Sequence, residues 1–310
     1  MVRASVLSAA LFLAGGAIPF LGTIVILFTP APIVNYAVGR PGAVWRTIGA
    51  VLLAAAGVLA AGGAYALLAY AVTFGLATTL ICCMLEYEAR FETIVAVTTA
   101  TVLLAGSVAA LLATGSPAAI VSEVREGLSA GIARSEEMYK LLGMSGGVEA
   151  ETKAKLVDMI VELTPALVGI TTAFAVLINL SLFWRTAGKQ RLPYKLFGDM
   201  VRWSTPQWLI WVFIATGFAL FIPLAPARTA ALDGFICVAA VYFCQGLAVI
   251  AFYLKMLSMP APWRGVIYFV AAAQPLLAAL VSGVGVFDLW VDFRRLRPPG
   301  QEAGTFSDLL

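Results

Sequence analysis

The 310-residue chain is 61% hydrophobic and only 12% charged, with a mean hydropathy of +0.95. A soluble domain carries about 25% charged residues, and this much apolar surface cannot be hidden in one water-soluble core, so lipid must be the solvent for most of it. The net charge of +3 is small and its basic residues fall in loops, which gives no footprint for nucleic acid, while the lack of histidine and of any C-x-x-C removes the usual zinc, haem and acid–base residues.

Residues 5–39 carry no charge. As one helix that tract would run about 52 Å, against a hydrocarbon core of about 30 Å. Gly15, Gly16, Pro19 and Gly22 supply a break, so a helical hairpin is expected over 4–18 and 20–38, its second limb interrupted by Pro30 and Pro32. One span followed by a loop over 30–42 is the alternative. A third span follows over 43–61, Gly62 and Gly63 turn the chain, and a fourth continues to Leu85. After the polar connector 86–92 a fifth span reaches Thr114.

Residues 115–162 form the one long polar interval. Ser116 and Pro117 are a helix start, and Ile120, Val124, Leu128 and Ile132 recur every four residues with charges on the other faces. This predicts an amphipathic helix, lying on the membrane or packed over the mouth of the bundle. A second polar helix, with Glu149/Lys153 and Glu151/Lys155 four apart, runs into a sixth span over 160–184. The basic stretch 185–203 leads to a seventh span between Pro206 and Pro223. The eighth covers 228–255, and the ninth, over 264–286, contains Gln274-Pro275.

The expected fold class is therefore all-α, a polytopic transmembrane bundle of about nine spans (eight as the alternative) with one amphipathic helical insertion. Its parts are 1–114, 115–162, 163–293 and a polar tail over 294–310. Basic residues in short loops put the N-terminus in the cytoplasm. With nine spans Arg294, Arg295 and Arg297 fall on the opposite face, against the trend.

Three tracts carry a resemblance: Arg202-Trp203-Ser204-Thr205-Pro206-Gln207, Gln245-Gly246-Leu247 through Phe252-Tyr253, and Gly285-Val286-Phe287-Asp288 with Asp292-Phe293-Arg294. Together they resemble the YybS-like family of predicted bacterial membrane proteins, a domain of unknown function. The resemblance implies a multi-pass protein of the bacterial cytoplasmic (inner) membrane and brings no activity with it. The N-terminal half is similar in style to the substrate-binding subunits of energy-coupling-factor transporters. In those an Ala-x-x-x-Ala on the first helix docks the coupling subunit, and Ala10 and Ala14 match that spacing.

Polar groups inside a membrane are costly, which makes them functional candidates, with helix–helix hydrogen bonding as the ordinary alternative. Asn179, Gln245 and Gln274 fall in the sixth, eighth and ninth spans. Brought together they would form an amide-lined site for a small uncharged or zwitterionic ligand. Arg228 and Asp233 lie close enough in sequence to pair at the interface. Asp288, Asp292 and Arg295 share a stripe that suits an ion-pair clamp, and Arg294 with Arg295 would suit an anionic headgroup. The expected function is transport, as a carrier or a substrate-binding subunit, with the bilayer and other membrane subunits as partners. A scaffold docking through the amphipathic interval is the alternative. A membrane enzyme is less favoured, since Glu86, Glu88 and Glu92 are the nearest approach to a catalytic cluster. No catalytic residue, cofactor or metal is expected.

Overall fold

A computed structural model of the chain describes residues 1–17, 21–141, 143, 150–189, 201 and 203–295. Every regular element among them is helical, and the chain divides into two compact units, Met1–Leu196 and Phe197–Leu310.

In the first unit α1 (Val2–Ala17) packs along α2 (Leu21–Ile26), α3 (Ala31–Ala37) and α4 (Ala43–Tyr70). Proline separates α2 from α3. Pro30 and Pro32 bring no N–H to the helical ladder, so the chain passes from α2 to α3 through tighter turns. There Thr29 N–H donates to Ile26 O and Ala31 N–H to Phe28 O, each at 3.1 Å.

The tract from α4 through a π-helical turn (Ala71–Gly75) into α5 (Leu76–Glu86) has no loop within it, but its direction reverses. Gly63 holds φ 77° and ψ −175°, a conformation that favours glycine. Beyond it the helix returns along itself. Val51 lies against Gly75, and Ala43 N–H donates to the Glu86 carboxylate at 3.0 Å. The two limbs, 43–62 and 64–86, each measure about 30–35 Å, one hydrocarbon thickness. Between them and α1 lies an apolar core of Ala9, Ile33, Ala50, Ala54 and Val58 around Tyr70, with the Phe12 ring edge-on to Tyr70 at 5.3 Å.

After α6 (Phe91–Thr114), α7 (Pro117–Leu141) carries the amphipathic stripe. It packs on α6 and on α8 (Ala150–Lys189), and ion pairs Arg125–Asp158 and Glu136–Lys153 fasten it to the polar first part of α8. Lys153 thus meets Glu136 across two helices; its expected partner Glu149 lies outside the described residues.

The second unit consists of α9 (Leu209–Ala219), α10 (Ala225–Met256), α11 (Ala261–Ala273) and α12 (Pro275–Val291). Its centre is the crossing of α10 and α12. A Cβ on Gly246 would run into Val281 O, and one on Gly285 into Tyr242 O, so only glycine permits the two backbones to come this close. Tyr253 Oη donates to Phe293 O at 2.9 Å, so the C-terminal ends of α10 and α12 lie together. Between α11 and α12 the axis bends by 102° at Gln274-Pro275.

Among the described residues four tracts are long and apolar enough to cross a membrane: Ala43–Glu86, Phe91–Thr114, Glu151–Ala187 and Ala227–Met256. The bent α11–α12 pair would be a fifth if it were one broken span, and is otherwise a re-entrant loop. This is fewer than the nine expected, for two physical reasons. Val2–Ala17, Ile24–Ala37 and Leu209–Ala219 are apolar but short, and Ala43–Glu86, counted once, contains two antiparallel limbs joined at Gly63 without a loop. Large side chains stay uncovered on the outer faces, Leu112 at 82% and Phe221 at 85% exposure among them; these surfaces contact the bilayer. The basic stretch 190–200 and the tail beyond Arg295 lie outside the described residues.

Candidate functional site: a broken helix and a buried ion-pair latch

Two polar clusters sit within these apolar units, one in each. In the first, the proline break leaves carbonyls in need of donors inside an apolar environment, where an unmet polar group costs about 1–3 kcal/mol. Side chains meet them. Asn179 on α8 donates from Nδ2 to Leu27 O at 2.7 Å and to Ala175 O at 2.6 Å. Ser8 on α1 donates to Thr29 O at 2.8 Å, and its oxygen lies 3.1 Å from the Tyr70 hydroxyl. Since the Ser8 proton is spent on Thr29 O, Tyr70 is the donor of that second bond. Ser8, Thr29, Tyr70 and Asn179 are all fully buried. Asn179 Oδ1 and Thr29 Oγ1 have no partner among the described residues.

The cluster in the second unit is charged and nearly closed. Asp288, on the last turns of α12, receives Arg294 Nη2 at 2.6 Å and Gln245 Nε2 at 3.1 Å on one oxygen, and Phe293 N–H at 3.1 Å on the other. Gln245 in turn accepts from Thr205, through N–H at 3.0 Å and through the hydroxyl. Arg294 reaches on to Val201 O at 2.8 Å and Trp203 O at 2.7 Å. The ion-paired side chains are 1% and 4% exposed. Among the described residues Arg294 Nε is the cluster's orphan atom. The geometry is that of a latch: it ties the 201–205 segment to α10 and α12.

The amides expected to share a site are distributed differently. Asn179 belongs to the first unit, and Gln245 and Gln274 to the second. Within that unit Gln245 packs beside Val281–Asp288, while Gln274 is exposed at the opposite end of α12, about 20 Å along the axis from Asp288. Asp288 pairs with Arg294, whereas Arg295 is exposed with φ 50°. The expected stripe assumed that the helix continues. In fact Asp292 takes the left-handed conformation at φ 46° and ends it, which rotates Arg294 inward. Arg228 lies in the first turn of α10 beside a surface recess lined by Leu220–Pro223, and Asp233 lies a turn further in. On α1, Ala10 is exposed and Ala14 half-buried.

Sequence reasoning missed Ser8, Thr29, Tyr70 and Thr205. The signal for the first two was present: prolines at 30 and 32 create orphan carbonyls, and a serine in an otherwise apolar helix is the donor to look for.

Among the described residues no group of three or more His, Cys, Asp or Glu is placed to hold a metal. A helical bundle with lipid-facing apolar surfaces and polar clusters inside is a multi-pass membrane protein. Residues 6–289 match the family described as "Predicted membrane protein (DUF2232)", and the chain belongs to that family. No curated protein matches the chain, and no solved structure does.

Proposed function

We propose that the protein is a transport protein, a carrier or the substrate-binding subunit of one, for a small uncharged or zwitterionic solute. One observation carries this reading: the buried break between α2 and α3, where two side-chain oxygens keep unused lone pairs amid apolar helices. Broken helices with polar backbone at membrane depth are how transporters build solute and ion sites. Non-helical backbone is tolerated there only when protein covers it or when it lines a cavity.

Topology follows from the same helices. Counted with the short ones, α1, α2–α3, the two limbs of 43–86, α6, α8, α9 and α10 make eight crossings. The α11–α12 pair starts just after α10 and ends beside it, joined through Tyr253 and Phe293, so it returns to the face it left. That reading places Arg294, Arg295 and Arg297 on the same cytoplasmic side as Lys255 and Arg264, which removes the conflict with the positive-inside trend. We place the protein in the bacterial inner membrane, without enzymatic activity, and keep the YybS-like and energy-coupling-factor likenesses as part of this reading. Ala10 and Ala14 would then be the docking face for a coupling subunit. A scaffold role draws support from the α7–α8 hairpin, whose ion-paired polar faces are open to a partner.

The test is thermal-shift screening of the protein in nanodiscs against small metabolites, followed by uptake into proteoliposomes. A shift lost in Asn179→Ala supports transport. No shift and no uptake, with a stable co-purifying partner bound through α7, overturns it in favour of the scaffold.

A further inference from the structure

We infer that the break between α2 and α3 holds a compact monovalent cation, either a free alkali-metal ion or a primary ammonium group. The inference rests on the transport reading for its purpose but not for its evidence, which is a count of donors and acceptors.

Among the described side chains, every donor at the break except one is already spent. Both protons of the Asn179 amide go to Leu27 O and Ala175 O. The Ser8 proton goes to Thr29 O, and the Tyr70 proton goes to Ser8. What remains is lone pairs and the Thr29 hydroxyl. Asn179 Oδ1 and Thr29 Oγ1 are fully buried without partners among the described residues. Leu27 O and Thr29 O each keep a second lone pair beyond the bond described. The two free side-chain oxygens belong to groups on or bonded to one short stretch of backbone, Leu27–Thr29. The amide oxygen of Asn179 sits about 2.3 Å from its nitrogen, and that nitrogen is on Leu27 O, so Oδ1 cannot lie more than about 5 Å from that carbonyl. Thr29 is two residues further along the same turn.

The chemistry of the set limits the occupant. All its oxygens are neutral, whereas calcium sites draw on carboxylates as well as carbonyls. A single positive charge is what amide, hydroxyl and backbone oxygens at an unwound helix stabilise, as in sodium-coupled carriers. The orientation of Asn179 is not arbitrary either, because both neighbours of Nδ2 are carbonyls. Flipping the amide would set oxygen against oxygen and leave the same surplus of acceptors.

The full chain in nanodiscs, exchanged into choline chloride, is melted with sodium, potassium or methylammonium chloride at constant ionic strength. Sodium or methylammonium should give a saturable rise in Tm, roughly 2 °C at ten times the half-saturating concentration. A sodium response identifies a free ion as the source, and a methylammonium response in sodium-free buffer identifies a solute ammonium group. Thr29→Val keeps the backbone carbonyl and removes a buried hydroxyl without a partner among the described residues, so its Tm in choline should equal or exceed the parent's while the cation response falls at least fivefold. Asn179→Leu should abolish the response. If all salts behave like choline, the free oxygens hold water and the inference fails. It fails equally if Thr29→Val and Asn179→Leu respond like the parent. A neutral-solute shift without any cation response would sink this inference and leave transport standing. A cation response with no solute shift or uptake would do the reverse.

Discussion

Both units contain a helix broken at proline, and they treat the break in opposite ways. Between α2 and α3 the break is buried, and side chains from α1 and α8 reach in to cap its carbonyls. Between α11 and α12 it is exposed, with Gln274 at the apex and the backbone carried by Gln274 N–H to Val270 O and Ala278 N–H to Gln274 O. Charge is divided in the opposite sense. The buried break is neutral with acceptors to spare, whereas the second unit hides a full ion pair and saturates nearly every atom of it. A closed network resists change, and one with free lone pairs can take a guest. On this comparison the second unit's cluster serves stability, and the first unit's is the one we propose for binding.

The largest expected effect tests the closed network. Arg294→Met strands Asp288 in the interior and should cost about 3–5 kcal/mol in reversible unfolding. Adding Asp288→Leu should restore much of the loss; if the double variant is no better than the single, the pair is more than a latch. Next comes the helix crossing: Gly285→Ala pushes a methyl into Tyr242 O and should cost about 1–3 kcal/mol, read as a lower midpoint of unfolding. A smaller loss is expected at the buried break. Ser8→Ala leaves Thr29 O without its hydroxyl donor, for about 1 kcal/mol, and a loss matching that of Arg294→Met would erase the contrast between the clusters. Smallest of all is Arg125→Gln on α7. Its ion pair with Asp158 is about half exposed, so solvent screens it, and the change should stay within about 0.5 kcal/mol and shrink further in high salt.

How much of this was legible in advance depends on range. Local chemistry was. The apolar composition made lipid the solvent, and Gly62-Gly63 marked a reversal that the Ala43–Glu86 contact bears out. Pro30 and Pro32 marked the interruption of the second limb. Long-range pairing was not legible. Asn179 meets Leu27 across 152 residues, and Tyr70 meets Ser8 across 62, with nothing in either neighbourhood to announce the other. The Asp288–Arg294 pair was misread by one position because a single left-handed residue, Asp292, reset the helical phase. The α11–α12 pair, read as one span containing Gln274-Pro275, turns by more than a right angle, since proline removes the donor that would have kept it straight.

The reversal at Gly63 reaches further than its two limbs. With no polar loop to announce it, the apex escapes any count based on hydropathy, yet Tyr65 beside it is 80% exposed. A short epitope inserted there would interrupt neither limb's packing. Antibody access to it on intact cells, set against access to a label after Arg295, would report in one stroke whether the chain's two halves present their tips to opposite compartments.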